Sequence, residues 1–182
     1  MKRFRYIWLL PLVLALPGCA TNYATKSAAE VGAALEVKNS EFDSVAMYAG
    51  PPVYSTTRRG LFVDNETVRL AAATDKKSGK AVVFIYVKIL YPVDWRFYNS
   101  ISLKDSSRVE AESVSRSVDA CGGMGCLYTE EFSVPINPIK LGVSGEFQFR
   151  VNSKNGTENV ITLQRSYITG FLQSVRARGL II

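Results

Sequence analysis

Ala81-Val82-Val83-Phe84-Ile85-Tyr86-Val87-Lys88-Ile89-Leu90-Tyr91 is the stretch that decides the fold class. Its odd positions are all apolar and its even positions nearly so. Both faces therefore read as buried, which places the segment at the centre of a sheet. Eleven residues would also make about three turns of helix. The density of β-branched and aromatic side chains argues instead for extended chain. Pro92 ends the strand, and a turn from Asp75 to Lys80, with Ser78-Gly79 inside it, leads into it.

The neighbouring segments follow the same β pattern. Phe62 to Ala73 reads as a strand or a pair of strands. Ala49-Gly50-Pro51-Pro52 is a break, because neither proline can donate to a ladder. Downstream, Trp95 to Leu103 puts Trp95, Phe97, Asn99, Ile101 and Leu103 on one side. Arg108 to Ala120 and Leu127 to Val134 flank a loop bounded by cysteines, and Pro135 and Pro138 break the chain again.

One hairpin carries its own register. Phe147, Phe149 and Val151 alternate with Gln148 and Arg150, and Glu158 to Gln164 is the partner strand. A two-residue Asn155-Gly156 loop would leave Ile161 and Leu163 on the polar side. A three-residue loop, Lys154-Asn155-Gly156, pairs Phe149 with Ile161 and Phe147 with Leu163. A slip of one residue flips every side chain, so the second register is expected, with Gly156 left-handed in a G1 bulge.

The period then changes. Tyr167, Ile168, Phe171, Leu172 and Val175 recur at helical spacing, opposite Gln173, Ser174, Arg176 and Arg178, with Gly179 as the stop. The apolar stripe is read as facing the core; the competing reading is that it docks a partner. The fold class expected is all-β: an antiparallel two-sheet sandwich of seven to nine strands with one C-terminal amphipathic helix, over residues 42–182. Residues 19–41 are small and polar and read as a tether. A short helix over Ala28 to Val37 and a segment without fixed structure both fit that stretch.

The amino terminus has a different character. Lys2, Arg3 and Arg5 precede an apolar run from Tyr6 to Leu16, which is interrupted by Pro11. A spanning helix needs about 20 apolar residues, so this run is too short. With its basic front and small-residue exit it matches a secretory signal, residues 1–18. Leu16-Pro17-Gly18-Cys19 resembles the lipobox of bacterial lipoprotein precursors, a resemblance that covers residues 1–19 only. It implies cleavage before Cys19, a diacylglyceryl group on its sulfur and a third acyl chain on its amine. Two or more chains give stable anchoring. Ala20, where an Asp would favour the inner membrane, implies the periplasmic face of the outer membrane.

If Cys19 carries lipid, Cys121 and Cys126 remain as a pair in an oxidising compartment, and a disulfide is expected. Three glycines let Cys121-Gly122-Gly123-Met124-Gly125-Cys126 turn tightly. The two cysteines with Met124 are also soft donors of the kind that select Cu(I). Without a third strong ligand the disulfide is the stronger reading, and no metal or cofactor is expected.

There is no histidine in the chain. That removes Ser-His-Asp and Cys-His catalysis and the usual zinc sets. Glu110 with Glu112, and Glu130 with Tyr128, share strand faces and are read as solvated rather than as an acid/base pair. Removing Lys2, Arg3 and Arg5 takes the formal charge from +6 to +3, which is no nucleic-acid footprint. Trp95 and Tyr98 are the candidate ligand platform. The expectation is a non-enzymatic binding or scaffold lipoprotein of the cell envelope with a protein partner, or alternatively a small-ligand or glycan binder.

Overall fold

The computed structural model describes residues 21–182, apart from 124, 143–144 and 181. Two antiparallel sheets pack face to face. The larger has seven strands, in the spatial order β1 (Glu36–Lys38), β2 (Val45–Ala49), β4 (Phe62–Asp75), β5 (Ala81–Pro92), β9 (Gly125–Pro135) and β8 (Glu112–Gly122). β3 (Val53–Arg59) shares β4's outer edge with β2. The smaller sheet runs β11 (Glu158–Gln164), β10 (Glu146–Ser153), β6 (Tyr98–Leu103), β7 (Arg108–Glu110). The all-β two-sheet reading holds. The described residues form eleven strands rather than seven to nine, partly because Arg108 to Ala120 is split at Ala111. The Ala111 amide donates to the Asn99 carbonyl at 2.8 Å, and there the chain passes from the small sheet to the large one.

β5 is central, between β4 and β9. Its inward residues Val83, Ile85, Val87, Ile89 and Tyr91 are buried. The other face departs from the sequence reading. Val82 is 53 % exposed, and Phe84, Tyr86 and Leu90 are half-buried, because no element covers that side among the described residues.

The β10–β11 hairpin has the register expected from its apolar faces: Phe147 opposite Leu163 and Phe149 opposite Ile161. Gly156 sits at φ +83°, a conformation that costs glycine little. In β6 the pairing to β10 shifts at Asn99, so Ile101 and Leu103 point inward together with Tyr98 rather than with Phe97. The alternation expected from Trp95 onward fails at this bulge.

Beyond the short helix α2 (Pro138–Gly142), the C-terminal helix α3 (Arg165–Ala177) buries Tyr167, Ile168, Phe171, Leu172 and Val175, as the spacing predicts. Tyr167 Oη donates to the Pro51 carbonyl at 2.8 Å and accepts the Leu70 amide at 3.1 Å, which ties α3 to the large sheet. The helix ends in a Schellman motif. Leu180 N–H donates to the Val175 carbonyl, and Gly179 N–H to that of Arg176.

The packed body begins upstream of residue 42. Ser27 and Glu30 form a capping box on α1 (Ala28–Ala33), Val31 is fully buried, and β1 pairs with β2. Within the stretch read as a tether, the described residues from Ser27 to Lys38 thus belong to the packed body. The helices approach closely because both lack a Cβ where they cross. A Cβ on Gly170 would lie 2.4 Å from the Ala28 carbonyl oxygen, and one on Gly32 would lie 2.4 Å from Ser174 Oγ. Nothing local in the sequence announces this contact. Gly170→Ala is expected to push α1 away and cost about 1–3 kcal/mol. Limited proteolysis would read this as new cleavage between residues 22 and 38; an unchanged digestion pattern would count against the packing.

Candidate functional site

The open face of the large sheet holds a groove of about 510 Å³. Its floor is Ala49 and Ala71, where small side chains leave a hollow, and Met47, Phe84 and Tyr86 flank it. The rim is charged and internally paired. Arg69 Nη1 meets Glu36 Oε2 at 3.1 Å, and Lys88 Nζ meets Glu131 Oε1 at 3.3 Å. Tyr86 Oη donates to Glu131, and partial burial together with that carboxylate pushes the phenol well above its ordinary range. The phenol thus stays protonated and neutral at any physiological pH. The groove offers an apolar floor within a rim of compensated charge.

A second constellation lies inside the sandwich. Asp64 is fully buried. It accepts two bonds from Arg96, at 2.6 and 2.9 Å, one from Arg59 Nε at 2.9 Å and one from Asn159 Nδ2 at 3.0 Å. Burial raises its pKa, but the bonds from Arg96, Arg59 and Asn159 outweigh that and hold it below 3.8. Glu130 is also buried. It accepts from Tyr91 Oη, from the amides of Phe97 at 2.9 Å and Tyr98 at 3.1 Å, and from Arg116 Nε at 3.0 Å. The solvated role read for Glu130 does not hold, because position 130 is in phase with the inward Phe132 and Val134.

This network fixes the loop between β5 and β6. Val93 (φ +92°) and Phe97 (φ +54°) occupy a backbone region that side chains disfavour by about 1–3 kcal/mol each. Glu130's bonds to the Phe97 and Tyr98 amides hold the loop there. The carboxylates are spent on this task. They have full sets of partners and line none of the cavities described, so their geometry supports structure rather than acid/base chemistry. Glu110 and Glu112, read as sharing a strand face, lie on strands of different sheets and are exposed.

The Trp95–Tyr98 platform is not assembled. Trp95 is half-buried, edge-on to Tyr128 with ring centres 4.8 Å apart. Tyr98 is 2 % exposed and points the other way; its hydroxyl accepts from Arg96 and donates to Asn159. Burial pushes its phenol up to about 12. The bulge at Asn99 is what turned this ring inward.

Cys121 and Cys126 face each other across the β8–β9 hairpin and are joined as a disulfide, Sγ atoms 2.07 Å apart. Every residue of β8 is exposed, so this hairpin has no core beneath its outer strand. A hairpin alone is marginal in water. The cross-link restricts the unfolded chain by about 2 kcal/mol and supplies what packing does not. Cys19 lies outside the described residues, as does the signal segment 1–18. Among the described residues no group of three or more His, Cys, Asp or Glu is arranged to hold a metal.

The open groove and the open face of β5 were legible only indirectly. The signal was an apolar even-numbered face on a strand whose odd face already fills the core. In comparison with known proteins, the chain matches no family model, no curated protein and no solved structure.

Proposed function

We propose that this chain is a lipoprotein anchored through Cys19 to the periplasmic leaflet of the outer membrane. There it acts as a non-enzymatic binding component of the cell envelope that holds a protein partner on the open face of its large sheet. One observation carries this reading. The solvent side of β5 presents Val82, Phe84 and Tyr86 in succession, then Lys88 and Leu90, where an antiparallel strand with one wet face would alternate to polar residues throughout. An exposed apolar row beside paired charges is the kind of patch that marks an interaction surface. The lack of histidine and the fully engaged buried carboxylates support a binding role over catalysis.

The test separates binding from folding. Val82 is more than half exposed, so Val82→Lys is expected to change stability by no more than about 0.5 kcal/mol. The same change places a charge on this face, at the end where β5 begins, and is expected to abolish co-purification of the partner from crosslinked envelopes. Retention of every crosslinked species by the Val82→Lys protein would sink the proposal. The volume of the groove also falls within the range of small-molecule sites. A small apolar ligand is therefore the second reading, recognisable by native mass spectrometry of the purified protein.

A further inference from the structure

We infer that the loop end of the sandwich is a membrane-contacting surface, seated on the phospholipid bilayer in which Cys19 is anchored. The inference rests on the lipid-anchor reading above and adds an orientation to it.

Strand register gathers the loops. Arg58 pairs with Val63, Pro92 with Leu127, and Lys154 N–H donates to the Arg96 and Phe97 carbonyls. The β3–β4 turn, the β5–β6 loop, the base of the β8–β9 tip and the β10–β11 turn therefore lie at one end. Large apolar side chains stand exposed there on three of these four connections. Leu61 is 99 % exposed, with Phe62 and Val63 beside it, Val93 and Phe97 on the next loop, and Leu127 beyond. A soluble turn places polar residues at such positions. Trp95 lies among them, half-buried; Arg58 and Lys154 are exposed cations at the same end, and Asp94 is an exposed carboxylate in the β5–β6 loop. Apolar tips with flanking cations are what an anionic lipid surface takes up.

The reach of the anchor points the same way. Asn22 is pinned to β3: its Nδ2 donates to the Tyr54 carbonyl at 3.0 Å, and its Oδ1 accepts the Tyr54 amide at 3.0 Å. Tyr23 N–H donates to the Pro52 carbonyl, so Asn22 and Tyr23 run antiparallel to β3, with Asn22 on the side of the Leu61 tip. Cys19 is three residues before Asn22, a reach of roughly 11 Å at full stretch. From Tyr54 to Leu61 is seven residues of hairpin, about 20 Å. The anchor is shorter than the distance to the tip. A bilayer that Cys19 reaches in this direction is met by Leu61 as well.

The experiment uses the full chain, expressed with its signal and purified from membranes in detergent. It is reconstituted into vesicles of phosphatidylethanolamine and phosphatidylglycerol, with or without bromine on the acyl chains. In a Trp95→Phe background, Leu61→Trp serves as the tip reporter. Ile139→Trp serves as the far-end reporter, because Ile139 is exposed just past the end of β9. Mass spectrometry of the peptide carrying Cys19 is read in parallel. The expected result is an acylated Cys19, with loss of most of the tip reporter's emission to brominated chains and none of the far-end reporter's. An acylated protein whose tip reporter is unquenched overturns the orientation while leaving the anchor intact, and would turn the tip into a candidate protein contact. Equal quenching at both positions also overturns it. An unmodified Cys19 ends both the anchor and this inference, and the mass spectrum distinguishes that outcome from the others. Leu61 touches solvent on nearly all sides, so a melting curve matching that of the parent certifies the tip variant.

Discussion

Asp64→Asn is expected to cost about 3–5 kcal/mol, because it keeps the shape of the side chain but leaves Arg96 buried without its counter-charge. Arg96 would retain its bond to Tyr98, which does not neutralise it. Replacing both partners together, Asp64→Leu with Arg96→Met, is expected to lose less than the single change, since the buried guanidinium goes with its carboxylate and Arg59, which also bonds Asp64, reaches solvent. Chemical denaturation of the three proteins at neutral pH measures this, and a double variant weaker than the single one would contradict it. The same pair fixes the direction of the pH dependence. Asp64's pKa in the folded protein lies below 3.8, so the unfolded chain takes up the proton first. The stabilisation is complete above 3.8 and is lost as the pH falls from there through the folded value. The Asp64→Asn protein should therefore show a shallower loss of stability on acidification.

Phe171→Ala is the second large effect. Phe171 is wholly buried on α3, among Tyr167, Ile168 and Val175, against the large sheet near Gly50. Truncating such a ring to a methyl group costs about 3–5 kcal/mol, the lost transfer energy plus the cavity it leaves. For a domain of this size the midpoint of thermal unfolding should fall by roughly 10 °C. A melting curve superimposable on that of the parent would show that the helix face is not part of the core.

The parts of this fold that the sequence announces are those whose two faces differ in polarity. The β10–β11 register follows from Phe147, Phe149, Ile161 and Leu163, because a one-residue slip would expose all four. The α3 stripe and its Gly179 stop are legible for the same reason. What escapes is long-range. Asp64 and Glu66 stand in phase with Val68, Leu70 and Ala72, and Glu130 in phase with Phe132 and Val134. That phase marks them as inward carboxylates, but nothing local says that Arg96, 32 residues on, neutralises Asp64. The docking of α1 depends on two glycines in elements far apart in the chain, Gly32 and Gly170, and has no local signature. The bulge at Asn99 reversed the expected facing of Phe97 and Tyr98 because alternation assumes an unbroken ladder.

β5 is the instructive case. Its sequence asks for cover on both faces, and the fold supplies one. The most direct test of a partner on the open face is site-specific photocrosslinking in living cells with a benzoylphenylalanine at Val82, compared with one at Val160. Both positions are exposed to a similar degree, 53 % and 55 %. Val82 lies on the open face of the large sheet, and Val160 on the outer side of the small one. A discrete crosslinked protein is expected from position 82 and none from position 160. No adduct from 82, or the same adducts from both positions, would contradict a partner held on this face.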